Sequence, residues 1–165
     1  LRLYRELAAE SGEQGQFASS SAMSSLYSDQ LSAQEVADLH RELFAPLGQG
    51  ARTRESFVRA PLAGRRIKLG LVSADFHHQH PVNIFMQPVL ARLDHWAVEV
   101  TMYFTGVSYD QQTQLAKRRV ARWVEATTWN DSQLSRRIEE DGIDILLDLS
   151  GHTSMQRMSG WCTNA

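Results

Sequence analysis

The sequence is poor in the features that would place it quickly. Cysteine occurs once in 165 residues, as Cys162. No disulfide can therefore form within the chain, and a reducing, cytoplasmic setting is the expectation. A membrane-spanning helix needs a run of about 18 apolar residues, and the sequence has none. Neither charge sign dominates: 17 basic residues face 19 acidic ones, a net of −2. That balance favours neither nucleic acid nor an anionic membrane as the main partner. The start, Leu1-Arg2-Leu3-Tyr4-Arg5, has no initiator Met and no signal-peptide core. The expectation is a chain that was processed or cut from a longer one.

What is present is enough for one ordinary domain. Leu1, Tyr4 and Leu7 recur at about one helical turn, which suits the end of a helix over residues 1–10. The Ser-, Gly-, Gln- and Ala-rich stretch 11–25 reads equally as a loop or a small-residue helix. Ser32-Ala33-Gln34-Glu35 has capping-box spacing, and Val36, Leu39, Leu43 and Leu47 then share one face with Phe44 beside it. Pro46 and Gly48 close that helix. Residues 48–64 read as a linker. The expected division is a helical connector over 1–60 and an α/β domain over 61–165.

From Arg65 the pattern alternates. Strands are expected at Ile67–Ser73, Val98–Phe104, Trp123–Ala126 and Ile143–Leu149, the last fully buried. Helices are expected at about Val82–Leu93, where Pro88 would weaken or kink the helix, and at Gln111–Arg122. A third follows a cap at Asp131 or Ser132 and ends at Gly142. Trp96, Trp123 and Trp129 flank strands and read as core or edge packing, and the Lys117-Arg118-Arg119 run as a solvated helix face. Alternating strands and helices imply βαβ units, a Rossmann-like parallel sheet and the strand order 3-2-1-4.

In such a sheet a ligand binds outside the carboxyl ends of the strands, where the strand order reverses. Here that point lies between strands one and four, where loops 74–81 and 150–158 meet. Those loops carry His77, His78, His80 and His152, four of the six histidines. The first loop has no glycine, so it is neither a dinucleotide fingerprint nor a P-loop. His77-His78-Gln79-His80 invites a metal reading, but adjacent imidazoles rarely converge on one ion. The alternatives are solvated histidines or a histidine that meets a substrate hydroxyl. Asp75 either caps its loop or faces a ligand, and Asp148 is either held by backbone amides or faces the crevice. Gly151 permits close backbone approach, the next helix would offer amides to an anion, and Arg157 can pair with phosphate or carboxylate.

Arg66-Ile67-Lys68-Leu69-Gly70-Leu71-Val72-Ser73-Ala74-Asp75-Phe76 with His80-Pro81-Val82 resembles the start of the catalytic region of O-GlcNAc transferase-like enzymes. Asp141-Gly142-Ile143-Asp144-Ile145-Leu146-Leu147-Asp148-Leu149-Ser150-Gly151-His152-Thr153 resembles a later strand and loop of that region. Leu26-Tyr27-Ser28-Asp29 with Leu39-His40-Arg41 is similar to the connector after the tetratricopeptide repeats of bacterial members. The resemblance implies the first half of a GT-B glycosyltransferase, incomplete and inactive as this piece alone. Such an enzyme moves N-acetylglucosamine from UDP-GlcNAc to Ser or Thr hydroxyls of a protein acceptor, without metal, and a repeat segment would lie upstream.

The resemblance implies His80 as the active-site histidine, whether base or substrate contact. It implies Asp75, His78, Pro81, Gly151, His152, Thr153 and Arg157 around the same cleft. Three departures stand out. Three residues, His77, His78 and Gln79, separate Asp-Phe from His-Pro where the family has two, so His78 is a possible substitute for His80. Arg136 stands where the animal enzymes carry an Asp that has been considered catalytic. The tail after Arg157 does not match. The rival expectation is a degenerate, non-catalytic module that binds protein through an apolar stripe on residues 33–47.

Overall fold

A computed structural model describes residues 14–48 and 61–151. They belong to two compact units. The helix expected over residues 1–10 and most of the expected linker lie outside the described residues.

The first unit is a helical pair, α1 (Gln14–Ser25) and α2 (Ala33–Gly48). The small-residue stretch is thus helical rather than a loop. Ala18, Ser19, Ser21, Ala22 and Ser25 are buried, and side chains this small let two helix backbones approach closely. The capping box before α2 forms: the Ser32 amide donates to Glu35 Oε2 at 2.8 Å, and the Glu35 amide donates to Ser32 Oγ at 3.3 Å. Of the expected apolar face, Leu39 is buried and Val36, Leu43 and Phe44 are half-buried.

The second unit is a four-stranded parallel sheet, β1 (Ile67–Ser73), β2 (Val98–Phe104), β3 (Arg122–Glu125) and β4 (Ile145–Asp148), ordered β3-β2-β1-β4. The expected order is observed. β1 runs beside β2 from Ile67↔Val98 to Ser73↔Phe104 and beside β4 from Leu69↔Ile145 to Val72↔Asp148. The crossovers carry α3 (Pro81–Arg92), α4 (Gln111–Arg119) and α5 (Asp131–Asp141). Leu71, Val100, Met102 and Phe104 pack with Val82, Met86 and Leu90 of α3 and Ala116 of α4 to form the core. Pro88 lies inside α3 without ending it; it is exposed, as are Ile84, Phe85 and Val89.

The opposite sheet face is organised by a charge. Asp141, at the end of α5, is buried and accepts from the Tyr103 hydroxyl at 2.7 Å. Arg137 at 3.0 Å and Arg122 at 3.2 Å pair with the same carboxylate, and Lys68 Nζ donates to its backbone carbonyl at 2.8 Å. A buried carboxylate needs this degree of satisfaction to be tolerated.

Four expectations need correction. β4 is shorter than expected and not buried: Ile145, Leu146 and Leu147 are 48%, 37% and 42% exposed. An apolar run reports what a strand can bury, whereas burial needs neighbours, and β4 is the edge strand of the described sheet with only β1 beside it. The α5 cap is Asn130, whose side chain accepts from the Gln133 amide in a reciprocal capping box; Asp131 and Ser132 are already inside the helix. Asparagine caps as well as aspartate or serine, so the choice among the three turned on a single position. Strand three begins one residue early, at Arg122. Trp96 is 92% exposed, although Trp123 packs on Phe104 with ring centroids 5.1 Å apart. The expected Gly142 end of α5 is observed, at φ 64°.

Burial and the Asp141 carboxylate push the Tyr103 phenol well above its usual range. Its neutral form is therefore favoured in the fold. The stability this gives is complete below the unfolded phenol pKa of about 10 and is lost as pH rises beyond it. Tyr103→Phe should cost about 1–2 kcal/mol at neutral pH. It should also flatten the alkaline loss of stability, as read by urea unfolding at pH 7 and pH 11.

Candidate functional site

The site grows from the fact that β1 is paired on both sides. Chains leaving its carboxyl end and that of β4 are thereby brought together. The Leu149 amide donates to Val72 O at 3.0 Å, and the Ala74 amide donates to Ser150 Oγ at 3.3 Å. The two loops expected to meet do meet. β2 joins them through its own exit, where the Thr105 amide donates to Ser73 O at 3.0 Å. Gly106 follows at that crossing. A Cβ there would stand 2.4 Å from the carbonyl oxygen of Ala74, so only glycine lets these two backbones pass.

Loop 74–80 turns sharply. Asp75 is buried, and its amide donates to Ser73 Oγ at 3.0 Å. Gln79 adopts the left-handed conformation at φ 63°, a strained choice for a residue with a side chain. That turn delivers His80 to the N-cap of α3, with Pro81 in the first helical position, where its missing N–H costs nothing.

His80 is the focus of the loop. Its Nδ1 accepts from the Val82 amide at 3.3 Å, and its Nε2 lies 3.7 Å from Asp75 Oδ1. An Nδ1 that accepts cannot carry the proton, so the neutral ring holds it on Nε2. The ring is partly exposed, whereas the Asp75 carboxylate is buried. His77 lies alongside, its ring centroid 5.2 Å from that of His80. His78 is exposed, and the structure ties it down by its backbone rather than its ring. Among the described residues no cluster of three or more His, Cys, Asp or Glu is placed to hold a metal ion.

On the β4 side, Asp148 Oδ1 accepts from the amides of Ser150 at 2.9 Å and Gly151 at 3.3 Å. Of the two readings of Asp148, the backbone-held one is the one seen. Gly151 has φ 56°, the left-handed region that favours glycine, and among the described residues nothing lies within 4 Å of where a Cβ would be. His152, Thr153 and Arg157 lie outside the described residues. Asp75, His78, His80, Pro81 and Gly151 are therefore the predicted site residues that the structure brings to one end of the sheet.

Sequence reasoning missed Asp110 and Thr113. Asp110 caps α4, accepting from the amides of Gln112 at 2.8 Å and Thr113 at 3.0 Å, and Thr113 Oγ1 answers the Asp110 amide at 3.1 Å. Both residues also reach the histidine loop: the His78 amide donates to Asp110 Oδ2 at 2.6 Å, and Thr113 Oγ1 donates to Phe76 O at 2.7 Å. The amides of Thr113 and then His78 hold the Asp110 carboxyl below its usual range. The Asp-x-x-Thr spacing was a readable cap signal, but nothing in it pointed 32 positions back along the chain.

The model of glycosyl transferase family 41 matches residues 47–160. A probable UDP-N-acetylglucosamine–peptide N-acetylglucosaminyltransferase SPINDLY of Hordeum vulgare is 27% identical over 136 residues, covering 80% of this chain and 14% of that protein. The Arabidopsis thaliana protein of the same description is 29% identical over 98 residues, covering 57% of this chain and 11% of its own length. This chain thus spans only a small part of the curated relatives it matches. A solved structure of a mutant Thermobaculum terrenum O-GlcNAc transferase superimposes with a TM-score of 0.86, covering 97% of this chain and 31% of that one. At 24% identity that likeness establishes the fold, which agrees with the expected Rossmann-like α/β class.

The strained turn gives a direct test of loop geometry. Gln79→Val places a β-branched residue in the left-handed region and should cost about 1–2 kcal/mol by denaturant midpoint. Gln79→Gly should be neutral or mildly stabilising, because the relief of strain offsets the greater backbone entropy of glycine.

Proposed function

The chain belongs to glycosyl transferase family 41, and from that premise we propose that it forms part of a UDP-GlcNAc-dependent enzyme that glycosylates Ser or Thr hydroxyls of proteins. The observation that carries the reading is the family match over residues 47–160, which spans the whole described sheet and its reversal point. The names of the relatives supply the donor and the polypeptide acceptor. In this reaction the acceptor oxygen bonds to the anomeric carbon as the bond to the diphosphate breaks; UDP leaves, and the hydroxyl proton passes to the departing diphosphate or to water. Stabilising the charge on that diphosphate supplies much of the rate.

Within this reading His80 meets the substrates. Its Nε2–H serves as a hydrogen-bond donor to an oxygen of donor or acceptor, with the buried Asp75 carboxylate 3.7 Å from that nitrogen. The Val82 cap on Nδ1 favours this role over that of general base, which would need the other tautomer. His78, Pro81 and Gly151 would border the same cleft, with His152, Thr153 and Arg157 continuing it and Arg157 as a partner for phosphate. No metal is required. A cytoplasmic location and an upstream tetratricopeptide-repeat segment complete the proposal. Nucleic acid and membrane have no part in it; no helix among the described residues is long and apolar enough to cross a membrane.

The rival protein-binding module would need the apolar stripe of α2 to be exposed. Leu39 is only 9% exposed, and its neighbours on that face are half-covered.

The test is GlcNAc transfer to protein by the product of the complete reading frame that contains these residues, read by mass spectrometry. His80→Ala should lower the rate by about 10²–10³-fold, the loss that follows removal of one preorganised hydrogen-bond donor. Unchanged transfer by the variant would remove His80 from the site, and no transfer by the intact protein would overturn the activity.

A further inference from the structure

We infer that Asp110 is a positioning residue for the histidine loop, acting through His78 to fix how His80 is presented. This rests on the reading of His80 as the group that meets the substrates. The two carboxylate oxygens do different work. Oδ1 caps α4 through Gln112 and Thr113, while Oδ2 accepts the His78 amide at 2.6 Å, a short charge-assisted bond. Thr113 adds a second tie, from Oγ1 to Phe76 O at 2.7 Å. Helix α4 therefore grips the loop at residues 76 and 78, just before Gln79 at φ 63° and His80 at the N-cap of α3.

A left-handed, non-glycine residue persists only where its surroundings over-determine it. The clamp supplies that determination from one side, and the α3 N-terminus supplies it from the other. His80 has little freedom between them. Its ring is held on Nδ1 by Val82, and its Nε2 is set 3.7 Å from Asp75. Release of residue 78 would let the turn relax and the His80 ring rotate between tautomers and orientations.

The chemistry offers a variant that separates this role from ordinary helix capping. Asp110→Asn keeps an oxygen for the cap, and asparagine caps as well as aspartate. It places an NH₂ group where Oδ2 faced the His78 amide, so donor meets donor and the loop tie is lost. Asp110→Ala removes both functions. The experiment compares the two variants with the parent chain by thermal unfolding, by hydrogen exchange of the His78 amide, and by the ring nitrogen shifts of His80. No substrate is needed, so the result stands apart from the glycosyltransferase reading.

For Asp110→Asn, which keeps the cap, the midpoint should fall by only a few degrees, less than for Asp110→Ala. His78 exchange should accelerate about tenfold or more, as a lost hydrogen bond to a charged group implies, and the His80 ring nitrogens should move towards averaged tautomer values. Asp110→Ala should show the same loop changes with a lowered midpoint. Unchanged His78 exchange and His80 shifts in Asp110→Asn would overturn the proposal. So would an equal loss of midpoint in both variants with no difference at the loop, which would make Asp110 a cap and nothing more.

Discussion

The crevice of the described α/β unit depends on β1 being hydrogen-bonded on both sides, to β2 over its full length and to β4 from Leu69 to Val72. A parallel strand flanked in this way must send its neighbours' chains off in opposite directions through right-handed crossovers. The loops leaving β1 and β4 are then left side by side with no helix between them. Backbone bonds from Leu149 to Val72 and from Ala74 to Ser150 Oγ seal that junction. The sheet leaves a crevice open there, with His80 at its edge.

The crevice is built by satisfied backbone rather than by side-chain bulk. Asp148 occupies itself with the amides of its own turn, and Gly106 lets the exits of β1 and β2 cross. Asp110 and Thr113 fasten the loop that ends at His80. This leaves His80 with one nitrogen committed to a helix cap and the other 3.7 Å from a buried carboxylate, beyond hydrogen-bonding distance. A histidine so constrained is suited to donating a fixed hydrogen bond, which is how preorganised sites stabilise developing charge.

Much of this was legible in the sequence. The apolar strands, the intervening helices and the order 3-2-1-4 followed from period and handedness, and the pairing of loops 74–81 and 150–158 followed from the order. The family resemblance of the segments around Asp75 and Asp148 agrees with the matched family. What the sequence hid was relational. Ile145, Leu146 and Leu147 look buried as a run, yet their exposure depends on what lies beyond an edge. Asn130, Asp131 and Ser132 are all good caps, and backbone geometry alone chose Asn130. The bond from Asp110 to the His78 amide joins residues 32 positions apart through a main-chain donor, which no residue type advertises. Gln79 in the left-handed region likewise carries no compositional mark.

The end of β1, with His80 at its focus, is the proposed place of sugar transfer. The most direct measurement is a crystal structure of the protein from the complete reading frame, with UDP-GlcNAc and an acceptor peptide bound. A donor or acceptor oxygen is expected within hydrogen-bonding distance of His80 Nε2, beside Ser150 and Gly151. Substrates bound elsewhere, with His80 still turned onto Asp75 and far from any sugar or hydroxyl, would contradict it.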